Sequence, residues 1–413
     1  MLTGESRPNF QFITEKYMEM SERGIEISLD LAQEISDEIN SELRGLLGEM
    51  LDQIPDEYKD LNLNSTKQVA TLMREVFDVE DLAGRTAKKK EPSYKQEDLQ
   101  RIYEKTGIEF MRQFSDYKTV QSLTKKLEEI VNACDSNGYI HPAFSFADTN
   151  RISYSKPGVS NCNDRVRSII IPPDGYKMIK CDYKAQEVYI LANMLNIKVL
   201  KDIFKNYTDF YTGVVKEALG IDLKKEYRAN MKTAWLAGVY GSHLNGIMFI
   251  DEEEKKIAHD LRDFANTIPE IQEYRRFVLN EYVRNRKPVK SYFGSERELQ
   301  LFYFTYVKQR NELKDGEEFK IEKDEQKVFN IAFNNVFQIT GADMLFFAVE
   351  EFHKRGLNPE DITTYMSIHD ELIFVVKEEL ANEETANLLT DIMQLKIEGW
   401  DLIKVKTSIT DRY

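Results

Sequence analysis

Turn-forming residues are scarce in this chain, with 19 glycines and 10 prolines among 413 residues, against average usage of roughly 12% for the two together. That scarcity excludes collagen-like and linker-rich sequences and disfavours a turn-dense all-β fold, so a mostly helical chain is expected. Sulfur and imidazole are sparse too, at 3 cysteines and 5 histidines. Cys134, Cys162 and Cys181 form no C-x-x-C pair, which argues against a disulfide framework or structural zinc and leaves reduced thiols as the expectation. No apolar run approaches the roughly 20 residues of a membrane-spanning helix. The opening MLTGESRPNF also lacks the basic-then-apolar pattern of a secretion signal. A cytoplasmic protein without a membrane partner is expected.

Positive charge is in deficit, with 56 basic against 71 acidic residues and a net charge of −15. Taken as an average, that disfavours a nucleic-acid partner, because phosphate binding needs local positive potential. A basic cleft can nevertheless sit in an acidic protein, and a magnesium centre requires carboxylates. What is plentiful is the make-up of a packed core: 42% hydrophobic, 31% charged and 11% aromatic residues exclude a chain disordered throughout.

The pattern from about 13 to 80 is helical, with apolar residues three and four apart and Ser28 and Asp30 available as an N-terminal cap. LAGRTAKKKEPSYKQEDLQ comes next as a basic tip, and DYKTVQSLTKKLEEIVNAC reads as a helix running to Cys134. An Asn-, Ser-, Gly- and Pro-rich stretch then predicts short strands and loops. RSIIIPPDGYKMIKCDY predicts two strands broken at Pro172-Pro173, and QEVYILANML returns to helix. Helices are expected from Asn206 to about Asn285, a strand at VKSYFG, and helices again through Lys354. ITTYMSIHDELIFVVKEE predicts a hairpin turning at His369-Asp370, then a helix and a last strand, LIKVKTSIT.

Two carboxylates stand out by position. Asp182 closes a buried-looking strand, and Asp370 sits at the tip of an apolar hairpin beside Glu371. Each alone is more often a turn residue or helix cap than a ligand, since a lone buried charge is costly. If the strands are neighbours, the carboxylates converge on one point, the oxygen-rich site that Mg²⁺ prefers and two-metal phosphoryl transfer requires. In RANMKTAWLAGVYGS, Arg228, Lys232, Leu236 and Tyr240 recur every fourth residue, which places them on one slowly turning stripe about 18 Å long. A bland amphipathic helix would put the same cations on its wet face. A nucleoside triphosphate lying along the stripe would instead set phosphates against Arg228 and Lys232 and its base toward Tyr240, with Gly238 and Gly241 permitting close approach.

CDYKAQEVYILANML resembles motif A of family A (Pol I-like) DNA polymerases, RANMKTAWLAGVYGS resembles motif B, and SIHDELIF resembles motif C, in the family's order. LNLNSTKQVATLMREVF, DTNRIS and AFNNVFQITGAD are similar to flanking segments of the thumb, the primer-terminus site and the helix before motif C. The resemblance implies an α+β right-hand polymerase fold: a palm with an antiparallel sheet, helical fingers and a helical thumb. The implied boundaries are a lead-in to the palm at 1–19, thumb at 20–135, palm with motif A at 136–222, fingers with motif B at 223–340, and palm with motif C at 341–413.

By the same resemblance, Asp182 and Asp370 would hold two Mg²⁺ ions, with Mn²⁺ able to substitute, helped by the Tyr183 carbonyl and with Glu371 supporting. Arg228 and Lys232 would bind phosphates, Lys232 also protonating pyrophosphate. Leu236 and Tyr240 would line the nucleotide, and Glu187 would fill the space a ribose 2′-hydroxyl needs. Arg151, Asn334, Gln338 and His369 would touch primer-template DNA, and Lys88, Lys89 and Lys90 its backbone. Leu236 stands where Phe or Tyr is usual, Tyr211 where His is common, and Val336 and Ile339 replace Pro and Gly, which suggests a divergent member of the kind phages carry. The expected activity is template-directed addition of deoxynucleotides to a primer, without an exonuclease domain in this chain. A separate exonuclease or processivity factor would be a partner. A phage-type RNA polymerase and a catalytically silent junction-binding fold are the alternatives; Glu187 and Glu371 count against the first, and intact Asp182, Asp370, Arg228 and Lys232 against the second.

Overall fold

The computed structural model describes residues 1–85, 92–244, 247, 249–299 and 323–413. They group into two units, a larger one of Met1–Ile25, His141–Ser155 and Pro172–Arg412, and a smaller one of Glu26–Ile140, Lys156–Ile171 and Tyr413.

The smaller unit is built on four helices, Leu29–Leu51, Thr66–Glu75, Gln96–Thr106 and Glu109–Val131. Ser28 caps the first as expected, its side chain accepting from the Leu31 N–H, and Ser65 does the same for the second through the Gln68 N–H. Their apolar stripes meet in a core of Met50, Leu72, Met73, Leu99, Ile102, Phe110, Met111 and Phe114, all with 0% exposure. Each such side chain contributes about 1.5–3 kcal/mol relative to an exposed one. The last helix starts at Glu109, before the expected DYKTVQ segment, and ends at Val131 rather than Cys134. Lys88, Lys89 and Lys90 lie outside the described residues.

The helical pattern expected across 13–80 is interrupted. The Phe10–Arg23 helix stops at Gly24, whose φ of 84° takes the chain out of the helical region. The next residues, IEI, form a strand, Ile25–Ile27. Two β-branched residues in alternation satisfy a strand better than a helix.

A four-stranded antiparallel sheet organises the larger unit, in the order Ile362–Ile368, Glu371–Lys377, Tyr176–Tyr183, Val405–Thr410. Glu371–Lys377 carries a continuous buried run, LIFVV, the pattern of a strand covered on both faces. Cover comes in part from the long Lys323–Lys354 helix, whose Phe352 ring lies 5.0 Å from that of Phe374. The Glu383–Met393 helix meets the outer strand through a 2.6 Å Thr390–Thr407 hydroxyl pair. VKSYFG pairs only over Val289–Lys290, against Glu296–Arg297.

Candidate active site

Register decides where the acids go. Asp182 is opposite Glu371 on one neighbouring strand and opposite Lys406 on the other. Directly opposed residues share a sheet face, so an acid, an acid and a base stand in one row. Asp370 is the second residue of the two-residue turn between the paired Ile368 and Glu371. Its carbonyl accepts from the Tyr183 N–H at 3.4 Å, which ties the turn to the strand end. The first turn residue, His369, adopts φ 56°, a left-handed conformation that costs energy for a non-glycine residue and collects at functional sites.

Both aspartates line one cavity of about 790 Å³ with Tyr183, Glu187, Arg151, Arg228, Lys232, Leu236 and His369. Burial, then Asp370 and Glu371, push the Asp182 carboxyl up to about 7, against the pull of Lys406 and Lys232. Burial likewise raises Asp370, against Arg151, Lys232 and His369. Acids that resist ionising together are relieved by a cation, and carboxylates with a backbone carbonyl are the hard oxygen donors that Mg²⁺ takes. Among the described residues no group of three or more His, Cys, Asp or Glu forms a closed metal cage. Two aspartates fit an ion that keeps waters and takes substrate oxygens as further ligands.

The Arg228–Tyr240 helix buries Met231, Ala234, Trp235, Ala237, Gly238 and Val239 and leaves Arg228 and Lys232 exposed. Arg228 is engaged: its Nε donates to Asp209 Oδ1 at 2.9 Å, its Nη2 binds the same oxygen, and its guanidinium lies 5.4 Å from the Tyr211 ring centre. Lys232 has no hydrogen-bond or ion-pair partner among the described residues. Tyr240 stands outside the cavity lining but donates to Glu187 Oε2 at 2.5 Å, while Arg151 Nη2 donates to Glu187 Oε1 at 2.8 Å. Three side chains, one from a loop and two from helices, therefore meet in one cluster centred on a carboxylate.

The glycines of this helix do not serve the expected purpose. A Cβ on Gly238 would lie 2.5 Å from the Arg262 carbonyl oxygen and 2.7 Å from Ala265 Cβ, so Gly238 lets the Glu252–Thr267 helix approach. Gly241, at φ 72°, ends the Arg228–Tyr240 helix.

Asn334 and Gln338 lie four apart on the Lys323–Lys354 helix and do not line the cavity. Asn334 Oδ1 is buried without a hydrogen bond among the described residues, and Phe333 beside it packs 6.0 Å from the Tyr240 ring. Glu371 reaches the site through its register with Asp182. Sequence reasoning missed Asp209, Gln186, Lys404 and Lys406 on the cavity wall. Asp209 carried a readable signal, since an acid preceding an apolar run is a helix N-cap; its side chain accepts from the Thr212 N–H at 2.9 Å. Gln186 is buried and donates to the Gly341 carbonyl at 3.1 Å, a tertiary contact with no local signal.

Residues 30–412 match the pattern of DNA polymerase family A. DNA polymerase I of Caldicellulosiruptor bescii is 24% identical over 361 residues, covering 83% of this chain and 39% of the relative. The thermostable DNA polymerase I of Thermus filiformis is 25% identical over 351 residues, covering 81% and 39%. The chain thus spans about two fifths of the length of these curated relatives. Among solved structures, the POL domain of Pol1 from M. smegmatis, in complex with DNA primer-template and dNTP, superposes with a TM-score of 0.77 at 20% identity, covering 98% of this chain and 70% of that one. The α+β fold expected from the sequence is therefore the fold of that polymerase domain.

Proposed function

This chain belongs to DNA polymerase family A, and from that premise we propose that it is a template-directed DNA polymerase, joining a deoxynucleotide to the 3′-hydroxyl of a primer with release of pyrophosphate. The observation that carries the reading is the convergence of Asp182, Asp370 and Lys232, from a strand, a turn and a helix, on one cavity. We assign the helical smaller unit to the thumb, the sheet to the palm and the Arg228–Tyr240 helix to the fingers.

Asp182, Asp370 and the Tyr183 carbonyl would hold the divalent cations, Mg²⁺ or Mn²⁺. Bound there, such ions supply an activated primer hydroxyl and neutralise the leaving pyrophosphate. Arg228 and Lys232 hold the triphosphate, and the Lys232 ammonium donates a proton to the departing pyrophosphate oxygen, where negative charge develops. Arg228 must exchange Asp209 for phosphate, one anion for another. Glu187, fixed by Arg151 and Tyr240, occupies the space beside the sugar and rejects a 2′-hydroxyl. Leu236 packs on the sugar side of the stripe, and Tyr240 borders the template position. Arg151, His369, Asn334 and Gln338 meet the primer-template, where acceptors in the minor groove report pair geometry rather than sequence. Lys88, Lys89 and Lys90 contact its backbone. We place the reaction in the cytoplasm, of a host cell in the case of a phage protein, where template and deoxynucleotides are found.

Extension of a labelled primer on a DNA template with Mg²⁺ and four deoxynucleotides tests this, with Asp370→Asn prepared in parallel. Template-dependent extension by the wild type that is lost in the variant is the expected result. Primer-template binding without extension by either protein overturns the proposal in favour of a binding-only fold.

A further inference from the structure

We propose that Lys406 is a phosphate-binding residue that, with Lys232, clamps the polyphosphate of the incoming nucleotide and of departing pyrophosphate from two sides. The inference rests on the polymerase reading of the cavity and adds to it a cation from the sheet. Lys406 belongs to the Val405–Thr410 strand and is paired in register with Asp182, so its side chain rises from the same face as that carboxylate, with Cβ atoms roughly 4.5–5.5 Å apart. It lines the same cavity as Lys232, which comes from the Arg228–Tyr240 helix. The two ammoniums act on one point: both oppose the rise of the Asp182 carboxyl.

Lys232 and Lys406 are unspent, as is Lys184 on the same wall, and what sets the first two apart is that both act on Asp182. Arg151 is paired with Glu187 at 2.8 Å, Arg228 with Asp209, and Lys404 donates to the Tyr207 carbonyl at 2.8 Å. Among the described residues, Lys232 and Lys406 make no hydrogen bond or ion pair, and neither is buried. Solvent-accessible ammoniums aimed into a cleft from two walls contribute little to folding but create a positive field for a multivalent anion. Lysine also suits an anion whose oxygens shift during reaction, being a compact charge on a flexible stem rather than a planar fork.

The test measures binding without turnover. Inorganic pyrophosphate and deoxyadenosine triphosphate are titrated calorimetrically into the whole chain in the absence of DNA, and Mn²⁺ binding is measured by electron paramagnetic resonance. Wild type is compared with Lys406→Gln, Lys232→Gln and Lys290→Gln, the last altering an exposed lysine already paired with Glu296. All four should give the same circular dichroism spectrum and melting midpoint. Lys406→Gln should weaken pyrophosphate and triphosphate binding about 3- to 10-fold, as expected for loss of one charged contact, and Lys290→Gln should not. Unchanged anion affinity in Lys406→Gln alongside a loss in Lys232→Gln overturns the inference and leaves the polymerase reading standing. Unchanged anion affinity with tighter Mn²⁺ binding also overturns it, making Lys406 a counter-ion of Asp182. Wild type that binds neither anion removes the polymerase reading as well.

Discussion

On the polymerase reading, Glu187 offers the sharpest test of how the cavity would select its sugar. Its carboxylate is held at 2.8 Å by Arg151 and at 2.5 Å by Tyr240, so it cannot swing aside freely. A ribonucleotide would have to crowd one extra oxygen against it, an overpacking cost of about 1–3 kcal/mol, or break one charge-assisted hydrogen bond, worth about 1.5–3 kcal/mol. Where both apply, discrimination is about 2.5–6 kcal/mol, or roughly 10²- to 10⁴-fold. Glu187→Ala removes both contributions. The assay is single-nucleotide primer extension, comparing kcat/KM for a deoxynucleotide with that for its ribonucleotide. Because the substitution also releases Arg151 and Tyr240, deoxynucleotide efficiency should fall as well, and the informative quantity is the ratio. It should shrink by roughly 10²-fold or more in Glu187→Ala, and far less in Glu187→Gln, which keeps the bulk. A Glu187→Ala enzyme rejecting ribonucleotides as strongly as wild type would refute the reasoning.

Packing and charge lead to three further expected outcomes. Gly238→Ala places a Cβ 2.5 Å from the Arg262 carbonyl oxygen, and the overpacking cost of about 1–3 kcal/mol exceeds the helix-propensity gain of at most about 1 kcal/mol; the thermal midpoint should drop by a few degrees, and an equal or higher midpoint sinks the packing argument. Asp343 is buried and bound by Ser291 Oγ at 2.6 Å and Ser295 Oγ at 2.8 Å, and burial pushes its carboxyl up to about 6. A pKa raised on folding means its favourable contribution is complete below about pH 4 and lost as pH rises toward 6. Melting curves of Asp343→Asn should therefore gain on wild type across that window, and parallel pH profiles would contradict the assignment. Affinity for primer-template should fall steeply with salt, by a log–log slope of about 0.9 per phosphate neutralised; a flat dependence measured by fluorescence anisotropy would rule out phosphate contacts as the source of binding.

The strand carrying Asp182, the hairpin turning at His369-Asp370 and the helix carrying Arg228 to Tyr240 were legible because each has a pattern that sequence displays: an apolar run, two runs around a short turn, and a four-residue repeat. What was not legible depends on partners distant in sequence. Lys406 reads as one position of an alternating strand until register sets it against Asp182, 224 residues away by the numbering of the pair. Gly238 was expected to let a ligand come close beside that stripe, whereas the Glu252–Thr267 helix takes up the space. The strand at Ile25–Ile27 was hidden because three residues are too short for a period to show between two longer helices.

The acidic balance, at first an argument against a phosphate-bearing substrate, has a local use on the polymerase reading. Arg228 and Arg151 are long, cationic and placed at a cavity wall, and each is already oriented by a carboxylate, Asp209 in one case and Glu187 in the other. A guanidinium held in place has surrendered its rotamer freedom before a ligand arrives, so an incoming anion meets donors whose ordering cost is spent. The two carboxylates differ in how they behave once an arginine departs. Asp209 is a helix cap that keeps its Thr212 N–H bond if Arg228 leaves, so it can release its arginine to phosphate without becoming an orphaned charge. Glu187 is held by both Arg151 and Tyr240, so releasing one leaves the other, and the carboxylate stays where a 2′-hydroxyl would have to go. Net charge therefore reports little about this cavity: its carboxylates orient the cations that, on this reading, would meet the substrate.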